Sequence, residues 1–429
     1  MGTKGAIGLG RRARKAVSRV NQELDRLRLM TRGAAAQAPL GDRRHAFPLA
    51  GRGSSEPRVR ELESWRLGRA KLAYTTRRVP VEEMVAIVPA ADARAYAPRT
   101  GDLLLARIET VGQHPRLELR DGRRAHLFVG DEVVVSYGAR YAPDQFEAEV
   151  PADLAACDLV AAGGVAAQRM SGHAKMSAPT RLEPVGLVVD RDGTSVNLDR
   201  WRLALPARID RRPPTVAVVG SSMNAGKTTA AASLVRGLTV AGHRVGAAKV
   251  TGTGAGGDMW HMTDAGAEIV VDFTDAGLPS TYLASPAVVA EVFELLTGHL
   301  AHAGMDVVVI EVADGLFQRE TEALLRTSLF GRGVDEVLFA GSDALGASAG
   351  VAALRSMGLR VSAVSGVLSA SPLAIREAEA ACGVPVLDSA ALRDGASLAL
   401  AGSGARAIDP KLEEPLPVPV DDDSTLTAA

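Results

Sequence analysis

The run Gly220-Ser221-Ser222-Met223-Asn224-Ala225-Gly226-Lys227-Thr228-Thr229 follows a continuous apolar stretch, Thr215–Val219, and opens a segment of helical pattern, Lys227–Ala241. In a strand–loop–helix context of this kind, backbone N–H groups of the loop and of the helix start converge on one anionic group, and the helix dipole adds partial positive charge there. These residues read as a P-loop, with Gly220, Ser222, Asn224, Ala225, Gly226, Lys227, Thr228 and Thr229 as the nucleotide-binding set. Lys227 is placed over the β- and γ-phosphates, the Thr228 hydroxyl on Mg²⁺, and Gly226 where the backbone must approach closely. Five residues separate Gly220 from Gly226, so the strict spacing begins at Ser221 and the loop is a variant form.

Further chemistry-bearing residues lie where neighbouring strands end. Lys249 closes the run Arg244–Val250 and precedes the glycine-rich Gly252-Thr253-Gly254-Ala255-Gly256-Gly257-Asp258. Ligands of open α/β sheets bind beyond the carboxyl ends of strands, so this stretch is expected beside the P-loop. Val307–Ile310 runs apolar into Glu311, and a carboxylate at a strand tip can reach Mg²⁺ directly or through water. Thr228 and Glu311 are therefore the expected metal ligands, and Lys227, Lys249 and Glu311 the expected catalytic residues, with Asp258 and Asp314 as rivals for the metal role. His261 sits in what reads as a substrate loop, where it or an aspartate is a general-base candidate or an ordinary histidine.

The loop resembles those of dethiobiotin synthetase and related enzymes of the SIMIBI class of P-loop proteins, which also place five residues between the glycines. That family has a lysine at the strand end matched by Lys249 and a Glu-Gly loop at Glu311; here Val312-Ala313-Asp314 is inserted before Gly315, so the substrate side differs. The resemblance covers about residues 214–402, and a weaker one connects the same region to the C-terminal domain of DgcN-like proteins. Guanine-specific members of the class carry an Asn-Lys-x-Asp or Thr-Lys-x-Asp sequence after the strand that Arg360–Val367 matches, whereas this chain reads Gly366-Val367-Leu368-Ser369-Ala370-Ser371-Pro372. That absence points to ATP in preference to GTP, with Mg²⁺ as the second cofactor.

The elements that must hold these residues differ along the chain. Residues 214–402 alternate strand and helix, which implies a parallel sheet with right-handed crossovers. Helices are expected at Val288–Ala303, Glu320–Phe330, Ala344–Met357 and Pro372–Ala381, and further strands at Val307–Val312, Glu336–Ala340 and Arg360–Val367. Residues 69–206 show short runs separated by turns, with strands expected at Leu103–Ile108, Arg116–Leu119, Glu132–Ser136, Phe146–Val150, Val185–Val189 and Ser195–Leu198. They read as a small, mainly β, barrel-like domain in which Tyr137–Glu147 is a loop for a ligand, for the partner domain or for structure alone. Residues 1–60, with 14 Lys/Arg against 4 Asp/Glu, are expected to be a disordered basic tail, and residues 409–429 a disordered acidic one. The net charge of −1 thus hides +10 in the tail and −11 elsewhere.

At 47% hydrophobic the chain can bury real cores, and 4% aromatic content suits closely packed strand–helix layers. Two cysteines far apart, Cys157 and Cys382, make neither a disulfide framework nor a metal cluster. No run reaches the ~20 apolar residues of a membrane span, and no signal peptide is evident, so a cytoplasmic protein is expected. The leading expectation is an enzyme that uses a Mg-nucleotide to activate an acidic or carboxylate-bearing small molecule, as a ligase, synthetase or kinase. The alternative is a nucleotide-hydrolysing switch or scaffold acting on a partner. The partners expected are a nucleotide, an acidic substrate and a second copy of the chain; no aromatic-interleaved basic patch in the folded part favours nucleic acid.

Overall fold

The computed structural model describes residues 59–93, 96–204, 206 and 212–394. The expected basic tail, apart from its last two residues, and the expected acidic tail lie outside the described residues.

Twelve strands make the first sheet system and a small hairpin. They are β1 (Arg60–Glu61), β2 (Lys71–Leu72), β3 (Ala86–Pro89), β4 (Leu103–Thr110), β5 (Arg116–Glu118) and β6 (Arg124–His126). After them come β7 (Glu132–Tyr137), β8 (Arg140–Tyr141), β9 (Phe146–Glu149), β10 (Cys157–Ala161), β11 (Val165–Gly172) and β12 (Thr180–Val189). Helix α1 (Ser64–Arg69) lies between β1 and β2. Pairing runs β4 to β7, β7 to β11, β11 to β10, β10 to β12 and β12 back to β4, which closes a five-stranded ring. Within the ring only β7 and β11 pair in parallel. Closure removes the free edges that an open sheet would expose. Side chains alternate across β4: Leu104, Ala106 and Ile108 enter the core with Val133, Val135 and Leu187, while Leu103 and Leu105 pack outward under Leu67, Val79 and Met84. Both faces of the first half of β4 are covered, which is why Leu103–Ala106 reads as an unbroken apolar run.

The second sheet is parallel throughout, in the order β15-β14-β16-β13-β17-β18. Its strands are β13 (Thr215–Gly220), β14 (Val245–Thr251), β15 (Ile269–Asp272), β16 (Val307–Val312), β17 (Glu336–Ala340) and β18 (Val361–Ser365). Helices α2 (Lys227–Val240), α3 (Gly257–Asp264), α4 (Pro286–His302), α5 (Arg319–Leu325), α6 (Ser328–Gly333), α7 (Ala344–Ser356), α8 (Pro372–Cys382) and α9 (Ser389–Arg393) cover its faces. Val216 and Val218 of β13 pack with Ala231, Leu234 and Leu238 of α2, and Ala217 and Val219 pack on the other face with Val292, Phe293 and Leu296 of α4. The architecture is a P-loop NTPase core on a parallel sheet, preceded by a barrel-like β unit, as the sequence implies.

Local expectations fail where a side chain captures the backbone. The single helix expected over Glu320–Phe330 is two, because the Thr327 hydroxyl accepts from the Phe330 N–H at 3.1 Å and starts α6 afresh. The strand expected at Ser195–Leu198 reduces to two isolated bridges, Ser195 to Val189 and Asn197 to Asp102, since Asn197 caps a 3₁₀ turn over Leu198–Trp201. His261 lies on α3 rather than in a loop, and Tyr137–Glu147 contains the β8–β9 hairpin. Both cysteines are buried thiols. Among the described residues no helix is long and apolar enough to cross a membrane.

Candidate functional site

The expected nucleotide loop bridges β13 and α2. Gly226 caps α2 at φ 93°, and a Cβ there would meet the Gly366 Cα at 2.9 Å and the Val367 N at 3.1 Å, so glycine serves both the turn and the close packing. Asn224 also adopts positive φ, 65°. Lys227 folds back over the loop: it is 5% exposed, and its ammonium donates to the Ser222 carbonyl at 2.7 Å and to the Asp314 carbonyl. Burial pulls the Lys227 pKa down, against the raising pull of Glu311 and Asp314. Ser222, Asn224 and Thr229 are exposed and Ala225 is buried.

Thr228 marks the point where carboxylates converge. Its Oγ1 lies 3.0 Å from Glu311 Oε1 and 3.1 Å from Asp258 Oδ1. A hydroxyl has one hydrogen to donate, so one of these two contacts is always between oxygens with no proton to share. Glu311 is 2% exposed, and its Oε2 is buried without a hydrogen-bond partner. Hard oxygen donors with spare lone pairs fit Mg²⁺, which takes one or two carboxylates and completes its shell with water and substrate phosphate. Among the described residues no group of three or more His, Cys, Asp or Glu side chains forms a full metal cage, and a nucleotide-shared Mg²⁺ needs none.

Lys249 is buried at the end of β14 and forms an ion pair with Asp258. The chain turns over it at Gly252, φ 138°, where a Cβ would stand 2.9 Å from the Lys249 Cε. Asp314 completes the group. Burial pushes its carboxyl up to about 6, against the opposing pull of Lys249, Lys227 and Arg140, and Glu311 adds to the rise. The structure thus brings together Lys227, Thr228, Lys249, Glu311 and both rival aspartates. His261 is exposed, one turn along α3 from Asp258, and has no partner in this group.

Residues of the barrel close the site from the other side, and sequence reasoning gave only those of the Tyr137–Glu147 run a role. Glu118, 1% exposed, accepts from the Trp260 indole N–H at 2.6 Å and from the Gly256 N–H at 3.0 Å. Tyr74 donates to Asp272 at 2.7 Å, and Arg77 pairs with Asp272 at 3.0 Å and Asp275 at 2.5 Å. Asn224, in the loop, donates to Asp144 Oδ2 at 2.8 Å, and Tyr282 donates to Glu147 at 3.0 Å. Tyr141, Asp144 and Glu147 belong to the run singled out in sequence, which therefore touches the partner domain; no signal marked Glu118, Tyr74 or Arg77.

No protein-family model matches the chain, and no curated protein matches it. Solved structures similar to part of it include the signal recognition particle 54 kDa protein of Aeropyrum pernix K1 in complex with GDP, at 19% identity and TM-score 0.31, covering 46% of this chain and 47% of that one. Another is the signal recognition particle receptor FtsY of Elizabethkingia anophelis in complex with GDP, at 19% identity and TM-score 0.28, covering 42% and 58%. A duf1611 family protein of Anabaena variabilis is similar at 16% identity and TM-score 0.32, covering 46% and 61%. The chain therefore spans less than two thirds of each of these proteins.

The expected preference for ATP over GTP is not borne out: two of these similar structures hold GDP. The missing guanine motif does not discriminate: after β18 the segment Val367–Ala370 is a 3₁₀ turn, and its backbone is wired to the P-loop through Val367 N–H to Ala225 carbonyl, 3.1 Å. Base contacts from a backbone turn need no side-chain motif. The C-terminal half has the fold of a P-loop NTPase core, and these likenesses show no specific kinship with dethiobiotin synthetase.

Proposed function

We propose that the chain is a Mg²⁺-dependent nucleoside triphosphatase in which the bound nucleotide sets how the P-loop half and the barrel hold each other, so that hydrolysis works a switch or scaffold. The observation that carries this is the double attachment of α3. Its first turn sends Asp258 to Thr228 and Lys249, and Trp260, two residues on, is held by Glu118 of the barrel. Any change of charge at Thr228 is felt by a helix that the barrel also grips. Glu311, Thr228 and Asp258 would hold the metal, which when bound neutralises phosphate charge. Lys227 supplies the fixed positive charge beside the phosphates, where burial strengthens its effect.

A second reading, activation of an acidic small molecule as in dethiobiotin synthetases, is supported by Lys249, a buried ammonium at the strand end facing the same group. Phosphate release from a panel of triphosphates, with Mg²⁺ and with or without metabolite pools, separates the two. Release that needs no second substrate supports the switch, and release that strictly requires an acidic metabolite with a new product favours the ligase. Lys227→Ala should retain the fold and lower turnover by ~10²-fold or more. Wild-type binding and turnover in that variant would refute the nucleotide site.

A further inference from the structure

Arg140 lies on β8 of the barrel, yet its surroundings are those of an anion-binding group. It is 7% exposed. One terminal nitrogen donates to Gln145 Oε1 at 2.9 Å, the other lies 3.4 Å from His114 Nε2, and its Nε is buried with no partner. Among the described residues it forms no ion pair. Taking a cation out of water without a paired carboxylate costs several kcal/mol, so folding alone gives no reason for a guanidinium here. His114 contributes no charge: burial first, and the neighbouring Arg140 second, push it down to about 4.

The carboxylates whose charge acts on Arg140 are Asp144 and Asp314, and both residues touch the nucleotide loop. Asp144, four residues on, is tied to Asn224 of the P-loop at 2.8 Å. Asp314 gives its carbonyl to the Lys227 ammonium, and its carboxyl is under the combined pull of Lys249, Lys227 and Arg140. The following residue, Gly315, packs so tightly on the loop that a Cβ would stand 2.7 Å from the Ser221 carbonyl oxygen. The β8–β9 hairpin, the P-loop and the segment after Glu311 therefore form one wall, with an unpaired guanidinium in it.

We propose that Arg140 is a catalytic residue supplied by the barrel, whose guanidinium contacts the terminal phosphoryl group of the bound triphosphate and stabilises its charge during transfer to water. The proposal rests on the triphosphatase reading above. In that step the water oxygen forms the new bond to phosphorus. The bond to the bridging oxygen breaks, and its electron pair stays on the nucleoside diphosphate. One water proton leaves to solvent and the other remains on inorganic phosphate. The donors of Arg140 are worth most when charge spreads onto the transferring oxygens, so the residue should act on turnover more than on binding.

The test compares Arg140→Ala and Arg140→Lys with the wild type for GDP and ADP affinity, for single-turnover phosphate release, and for the tightening of diphosphate binding by aluminium fluoride. Arg140→Ala should bind diphosphate within about threefold of wild type, lose roughly 10³-fold in release rate and lose the aluminium fluoride effect. Millimolar guanidinium should restore part of the rate, which no structural role predicts. Arg140→Lys, without the planar fork, should stay well below wild type. If Arg140→Ala fails to fold, Arg140→Gln carries the same comparison. Release by Arg140→Ala within fivefold of wild type, or an equal loss of diphosphate binding without guanidinium rescue, overturns the role of Arg140 and leaves the triphosphatase standing. A wild type that releases phosphate from no triphosphate overturns the function and this proposal with it.

Discussion

Arg77→Met removes the centre of the buried network that ties the barrel to β15. The guanidinium contacts the Thr274 hydroxyl, pairs with Asp272 at 3.0 Å and Asp275 at 2.5 Å, and lies 4.3 Å from the Tyr74 ring centroid. Asp272 is fully buried, and burial opposes its charge. Arg77, together with hydrogen bonds from Thr274 and Tyr74, outweighs that and holds its carboxyl below the usual range. Burial pushes the neighbouring Asp275 upward despite Arg77. Methionine keeps most of the volume but leaves Asp272 without a cation and Asp275 with Arg78 alone, at 3.5 Å. Breaking a buried pair in this way costs about 3–5 kcal/mol. Uptake of a proton by Asp275 offsets part of it, so about 3 kcal/mol is expected at neutral pH. Urea unfolding followed by far-UV circular dichroism reads the loss. Arg77→Met/Asp275→Asn should recover part of it, because one carboxylate charge is gone. A variant within about 0.5 kcal/mol of wild type would show that solvent already screens the network and that the docking is not electrostatic.

Glu311→Gln should raise the Mg²⁺ concentration needed for half-maximal turnover by about tenfold or more, the ~1.4 kcal/mol of one charge-assisted contact, with nucleotide binding little changed. If its Mg²⁺ titration matches wild type while Asp258→Asn shifts, the metal belongs to Asp258. His114 should make the fold acid-sensitive. Its ring is held at about 4 in the fold against 6.5 in the unfolded chain, so the unfolded state binds the extra proton between those values. The contribution costs nothing above pH 6.5 and should remove about 2 kcal/mol by pH 5. Asp314, raised to about 6, works in the opposite direction, so the quantity to read is the difference between wild type and His114→Gln in urea midpoint from pH 7 to 5. A constant difference across that range would refute the assignment.

The parallel sheet and the P-loop were legible because a strand covered on both faces announces itself as an apolar run, and Val216-Ala217-Val218-Val219 leads straight into the loop. Lys249 and Glu311 were legible as strand-end residues. Helix α3 was not: four glycines precede its Asp258, and they describe the approach rather than the helix. Strands β10 and β11 were missed because Cys157–Ala161 is buried throughout and Val165–Gly172 passes from buried to exposed, so neither alternates cleanly. The barrel's share of the site had no local pattern to betray it. Glu118 meets Trp260 across 142 positions, and that meeting depends on how two separately patterned units dock.

That docking also has an order in time. The last ring strand, β12, ends at Val189, whereas the carboxylate that Arg77 grips is made 195 residues after Arg77 itself. At ~5–20 residues per second of translation, the 83 residues from Val189 to Asp272 take roughly 4–17 s. During that interval a nascent chain can close the ring while Tyr74, Arg77 and Glu118 still face water. A ribosome paused between codons 189 and 272 therefore displays a finished barrel with one bare flank. That window is when chaperones, or a neighbouring nascent copy, have their best chance to bind it.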